Sequence, residues 1–155
     1  QKNLEAIFAS LRSAGAAPAG YAILDGDVGL PLISTTPQAH VPFMQLACHE
    51  SENLYLTDEI LTELSMTWDQ AKSVIKGVAS QYGAKANDLL ACDSWDRKTS
   101  DIKHLINEIS DVLDPKKVHW TKRVGSHIGK NKPSGQMAAF LGTPLVQVIW
   151  PMSAE

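Results

Sequence analysis

The chain has 155 residues, 44% of them hydrophobic and 20% charged, with a net charge of −3. At roughly 100–200 residues per domain, this predicts one soluble globular domain over 1–155, with enough apolar material for a core. It excludes a membrane span, which needs roughly 20 consecutive apolar residues; a disulfide scaffold is excluded by a count of 2 cysteines. No positively charged start followed by an apolar stretch opens the chain. No signal peptide is therefore expected, and the expected compartment is the cytoplasm.

Leu4, Ile7, Phe8 and Leu11 fall at i, i+3, i+4 and i+7 and predict a helix over 2–14, stopped by Gly15. Tyr21 to Leu24 reads as a strand, followed by an Asp25-Gly26-Asp27 turn. Val28 to Ser34 reads as a returning strand, held to an edge by Pro31. His40 to Ala47 is a further predicted strand.

Asp58 and Glu59 open a short helix carrying Ile60, Leu61 and Leu64. Thr67 and Gln70 have capping-box spacing, and Trp68, Ala71, Val74, Ile75, Val78 and Tyr82 form one helical stripe up to Gly83. The clearest period is Ile102, Leu105, Ile106, Ile109, Val112 and Leu113, stopped by Asp114-Pro115. Val118 to Val124 is expected as a strand, and Gly125 to Gly135 as a loop. Ser134 is expected to cap a helix running to Leu141, and Leu145 to Trp150 to form a buried strand. This irregular alternation predicts an α+β fold, a mixed or antiparallel sheet with about four helices packed on it.

Charge is unevenly placed. Residues 1–115 hold 16 acids and 8 bases, whereas residues 116–155 hold 6 bases and 1 acid. Lys116, Lys117, Lys122, Arg123, Lys130 and Lys132 lie in a stretch without an acid, with His119 and His127 among them and Trp120 available to stack on a base or ring. Such a field suits an anion: a nucleic acid, a phosphate or an acidic protein. The competing reading is a solvated face, or one paired with the acidic helices.

Other patterns are weaker. Cys48-His49-Glu50 brings a thiol beside an imidazole, but neighbours on a strand point to opposite faces. Cys48 and Cys92 have apolar flanks and are expected to be buried and inert. The five histidines, His40, His49, His104, His119 and His127, include no i, i+4 pair, so no metal and no cofactor is expected. Gly125-Ser126-His127-Ile128-Gly129-Lys130-Asn131 departs from a phosphate loop in glycine spacing and in the residue after lysine. Residues 58–82 have helix-turn-helix proportions, but Glu50, Glu52, Asp58, Glu59, Glu63 and Asp69 surround them and would repel DNA. A structural helix pair is expected there.

The sequence thus points first to a binding domain using its basic C-terminal third. A hydrolase or nuclease-like enzyme built on His119, Arg123, His127 and Lys130 is the second reading. An immunity- or chaperone-like protein presenting the acidic half to a protein partner is the third. Oligomeric state stays open.

Overall fold

A computed structural model describes residues 2–15, 22–26, 33–34 and 43–150. Helix dominates, at 65%. The α-helices are α1 (Lys2–Ser13), α2 (Asp58–Glu63), α3 (Trp68–Val78), α4 (Ala86–Leu90), α5 (Ile106–Leu113), α6 (Trp120–Lys130), α7 (Gly135–Leu141) and α8 (Thr143–Ile149). Tighter 3-10 turns run over Ser51–Leu56, Ala79–Lys85 and Ala91–Ser94. The strands β1 (Ala22–Leu24), β2 (Ile33–Ser34) and β3 (Phe43–Gln45) make a small sheet in the order β1-β3-β2. β1 runs parallel to β3, and β2 antiparallel to it. None of the described helices is long and apolar enough to cross a membrane.

The expected α+β architecture, about four helices on a sheet, is therefore wrong. Among the described residues eight α-helices replace the four, and two expected strands are helices. Over 118–124 the residues alternate as a strand would, but Trp120, Val124 and Ile128 repeat every fourth residue. That repeat places them together on the core side of α6. Gly125 and Gly129, which read as loop signals, sit inside this helix. Over 145–150 the β-branched run suggests a strand, yet Pro144 in the first turn of α8 is a helix-start signal. The strand readings at 21–24, 28–34 and 40–47 contract to β1, β2 and β3; residues 21, 28–32 and 40–42 lie outside the described residues.

The core forms around the 3-10 turn at Ser51–Leu56, whose Tyr55 and Leu56 are fully buried. Asn53 is buried with them and satisfied. Its amide donates to the carbonyls of Arg97 and Ser100, each at 2.9 Å, and its oxygen accepts from the Glu50 N–H at 2.9 Å. Ile75 of α3 and Ile109 and Leu113 of α5 are buried in the same core. Ile102 and Leu105 are buried as the periodicity requires, although they precede α5 in a turn. Thr67 caps α3 reciprocally with Gln70: the Gln70 N–H donates to the Thr67 hydroxyl at 3.3 Å, and the Thr67 N–H to the Gln70 side chain at 2.7 Å.

Two α2 residues fasten α7. The Glu59 carboxylate accepts from the N–H groups of Gln136 (2.9 Å) and Met137 (3.0 Å), filling the anion-seeking start of that helix. A Cβ on Gly135 would lie 2.3 Å from that carboxylate and would have to displace it, and at a φ of +49° any other residue would also be strained. The Asp58 N–H donates back to the Gln136 side chain at 2.9 Å. These contacts join α2 to α7.

Candidate functional site

α6 begins at His119, whose Nδ1 accepts from the Thr121 N–H at 3.4 Å and whose ring stacks on Trp120 at 6.0 Å. Trp120, Val124 and Ile128 face the core, and the Trp150 indole N–H donates to the Ile128 carbonyl at 3.1 Å. His119 and Trp120 therefore start the helix and anchor it.

Arg123 also turns inward. Its Nε and Nη2 both donate to Asp114 Oδ2, the Nε at 3.1 Å, while Nη1 lies 4.0 Å from Glu63. The Asp114 side chain is 1% exposed. Burial pushes the Asp114 carboxyl up, but the bonds from Arg123 and from the N–H groups of Lys116 and Val118 outweigh this. They hold it below the ordinary carboxylate range. His127 Nδ1 lies 2.7 Å from Glu63 Oε1. Glu63 thus lies against two of the side chains that the sequence grouped.

The others divide. Lys122, Ser126 and Lys130 follow one another at i, i+4 and i+8 on α6, a stripe about 12 Å long at 1.5 Å per residue. Together with Arg123, His127, Glu63 and Val118 they line a cavity of about 230 Å³. Lys116 lines a neighbouring hollow of about 220 Å³ that shares Glu63 and Arg123. Lys117 binds the Asp111 carbonyl through its ammonium group. Lys132 lies exposed beyond the end of α6. So five of the nine expected site residues converge on a cavity or its rim hollow: Lys122, Arg123, His127, Lys130 and Lys116. Glu63, Asp114 and the role of Ser126 were missed. Glu63 and Asp114 come from the acidic half, and no local signal ties them to a helix some 10–60 positions later.

Several bases of the acidic half pair within it. Lys72 and Lys76 pair with Asp93, Lys85 with Glu108, Arg97 with Asp58, and Lys103 with Glu50 and Asp25. Lys122, Lys130 and Lys132 have no ion pair among the described residues.

The remaining patterns carry no chemistry. Cys48 is buried and donates its thiol to the Glu50 carbonyl at 3.1 Å, and burial pushes that thiol up to about 12. Cys92 is fully buried, and burial raises its thiol as well. The glycine–lysine motif at 125–131 is α6 itself, so its amides are spent on helix hydrogen bonds. In the α2–α3 pair, Trp68 stacks on Trp95 at 6.4 Å beneath Arg97, which fits a structural pair. His40 lies outside the described residues, and among those residues no group of three His, Cys, Asp or Glu could hold a metal. Compared with protein-family models, curated proteins and solved structures, the chain matches none.

Proposed function

We propose that the chain is a binding domain that takes an anionic partner at the α6 cavity. The observation that carries this reading is the convergence of Lys122 and Lys130, both without a carboxylate partner among the described residues, on a cavity that also presents Ser126. The lysines supply charge and the hydroxyl supplies direction, while Arg123 and His127 line the floor against the carboxylates of Asp114 and Glu63. Asp93, Glu108, Asp58 and Glu50 are paired with bases of their own half, so none of these four is spent on Lys122 or Lys130.

The test is binding of a 5′-phosphorylated oligonucleotide and of tripolyphosphate, read by anisotropy and calorimetry across salt concentrations. Affinity should fall as salt rises, and Lys122→Ala with Lys130→Ala should weaken it by at least about tenfold, or 1.4 kcal/mol. Absence of binding to either probe at low salt sinks the reading and brings the acidic-half partner hypothesis forward.

A hydrolase remains a second reading because of one feature. His127 is oriented by a carboxylate, as a general base would be. Of its four expected residues, however, His119 is stacked on Trp120 at the start of α6, and Arg123 is committed to Asp114. Release of nitrophenol from a nitrophenyl phosphodiester, lost in Glu63→Gln, would favour it.

A further inference from the structure

The α6 cavity differs from a plain basic surface in size and in one side chain. At about 230 Å³ it is smaller than the roughly 300–1,000 Å³ that enclose a drug-sized ligand. It has room for one phosphoryl-sized head, and the rest of a larger ligand would lie outside it, in the adjoining hollows or in solvent. The side chain is His127. A carboxylate has no proton to give at neutral pH, so where Nδ1 meets Glu63 at 2.7 Å the ring nitrogen must donate. A neutral His127 then carries its lone pair on Nε2, which repels an anion. Once Nε2 is protonated, it donates to that anion while Glu63 stabilises the imidazolium.

We propose that this cavity is a site for a terminal phosphate monoester, held by Lys122, Ser126 and Lys130, and that His127 takes up a proton as the ligand binds. This rests on the anion-binding reading and narrows it. A monoester near neutrality carries almost two charges on three free oxygens, because its second ionisation lies near pH 6. Two ammonium groups and a hydroxyl around one small cavity suit that head better than a diester, which has one charge and two chain-bearing oxygens. The charged groups around His127 are Glu63, Glu59 and Asp58 from α2, and Lys122, Arg123 and Lys130 from α6. Asp58 is paired with Arg97, Glu59 is spent on the amides of α7, and Arg123 is largely spent on Asp114. Glu63 is therefore the acid that answers a charge change on His127, and Lys122 and Lys130 are the cations that share its ligand.

The probe is phenyl phosphate, titrated calorimetrically from pH 8 to pH 6.5 in phosphate-free buffers of two ionisation enthalpies. The affinity of the unaltered protein should rise as pH falls, approaching tenfold per unit, with net proton uptake. His127→Gln should remove that slope. A phosphoserine peptide and a 5′-phosphorylated oligonucleotide, each beside its dephosphorylated twin, identify which carrier presents the monoester. Affinity independent of pH, a slope that survives His127→Gln, or equal binding of the dephosphorylated twins would overturn the monoester site and leave the broader anion-binding reading standing. No binding of any of these anions would end both.

Discussion

On the inward side of α6, Arg123 lies against a carboxylate that is almost wholly buried; four residues further on, His127 meets Glu63. On the outward side, Lys122 and Lys130 extend past Ser126 with no described carboxylate to meet them. One segment of uniform sign is therefore used in two ways. The inward cations are neutralised and tie α6 to the ends of α5 and α2. The outward ones keep their field. Sequence position alone does not separate the two groups, because Lys122 and Arg123 are neighbours. The turn of about 100° between consecutive helical residues does. The difference also separates stability from binding: variants inside should unfold the protein, and variants outside should leave it folded but without a ligand.

The largest effect should come from Asp114→Ala. It leaves Arg123 desolvated without its partner, and breaking such a pair costs about 3 kcal/mol. Urea unfolding at pH 7 would measure it, and a loss under about 1 kcal/mol would mean that the inward pair is ornamental. The same pair sets a pH dependence. The Asp114 carboxyl is held below its unfolded value, so its contribution is complete above about pH 4, the unfolded range. It is lost as pH falls through the lower folded value. In Asp114→Asn the acid limb of the stability curve should be shallower than in the unaltered protein.

That pairing also marks where the sequence stopped being legible. The Thr67–Gln70 cap, the buried Ala71 and Ile75 of α3, the stripe of α5 and the burial of both cysteines could be read because each depends on residues within about one or two helical turns, whereas Val74 is exposed and Tyr82 falls beyond the end of α3. The stop at Asp114-Pro115 was visible for the same reason, but the buried role of Asp114 was not. Its partner Arg123 lies across a turn, on a segment that was read as a strand. The errors at α6 and α8 share one cause. Val, Thr, Ile and Trp carry strand propensity, and glycine and proline carry loop signals, but packing of every fourth residue against the core overrides both. With α6 misread, the cations could be grouped by composition but not sorted by face. Glu63 could not be joined to His127 at all, since 64 positions separate them.

A smaller stabilising effect tests the outward face from the opposite direction. Gly125 and Gly129 lie inside α6, and a Cβ at either would meet nothing within 4 Å. An exposed helix-interior glycine costs about 1 kcal/mol relative to alanine. Gly125→Ala should therefore raise the melting temperature, and Gly129→Ala should do so by a similar amount. If either lowers it, α6 is under a constraint that its open surroundings do not reveal. On the inward face, Trp150→Phe removes the bond to the Ile128 carbonyl and should cost about 1 kcal/mol in a denaturant titration. A cost near zero would place the Trp150 contribution in its ring alone.

The smallest effect on stability should be the most informative. Lys122 and Lys130 are exposed and lack ion pairs among the described residues, so replacing both with alanine removes no contact on which the folded state depends. Alanine is also the better helix former, so the change in unfolding free energy should stay within about 0.5 kcal/mol. Relief of repulsion among Lys122, Arg123 and Lys130 acts in the same direction and is screened over about 8 Å in physiological salt. Against this unchanged stability, the same double variant should lose anion affinity, whereas Asp114→Asn, where it remains folded, should retain most of it. Circular dichroism melts and phenyl phosphate titrations on both variants give the four values required. If the lysine variant unfolds as readily as the aspartate variant, the outward face is structural after all. The division of α6 into a supporting side and a binding side would then fail.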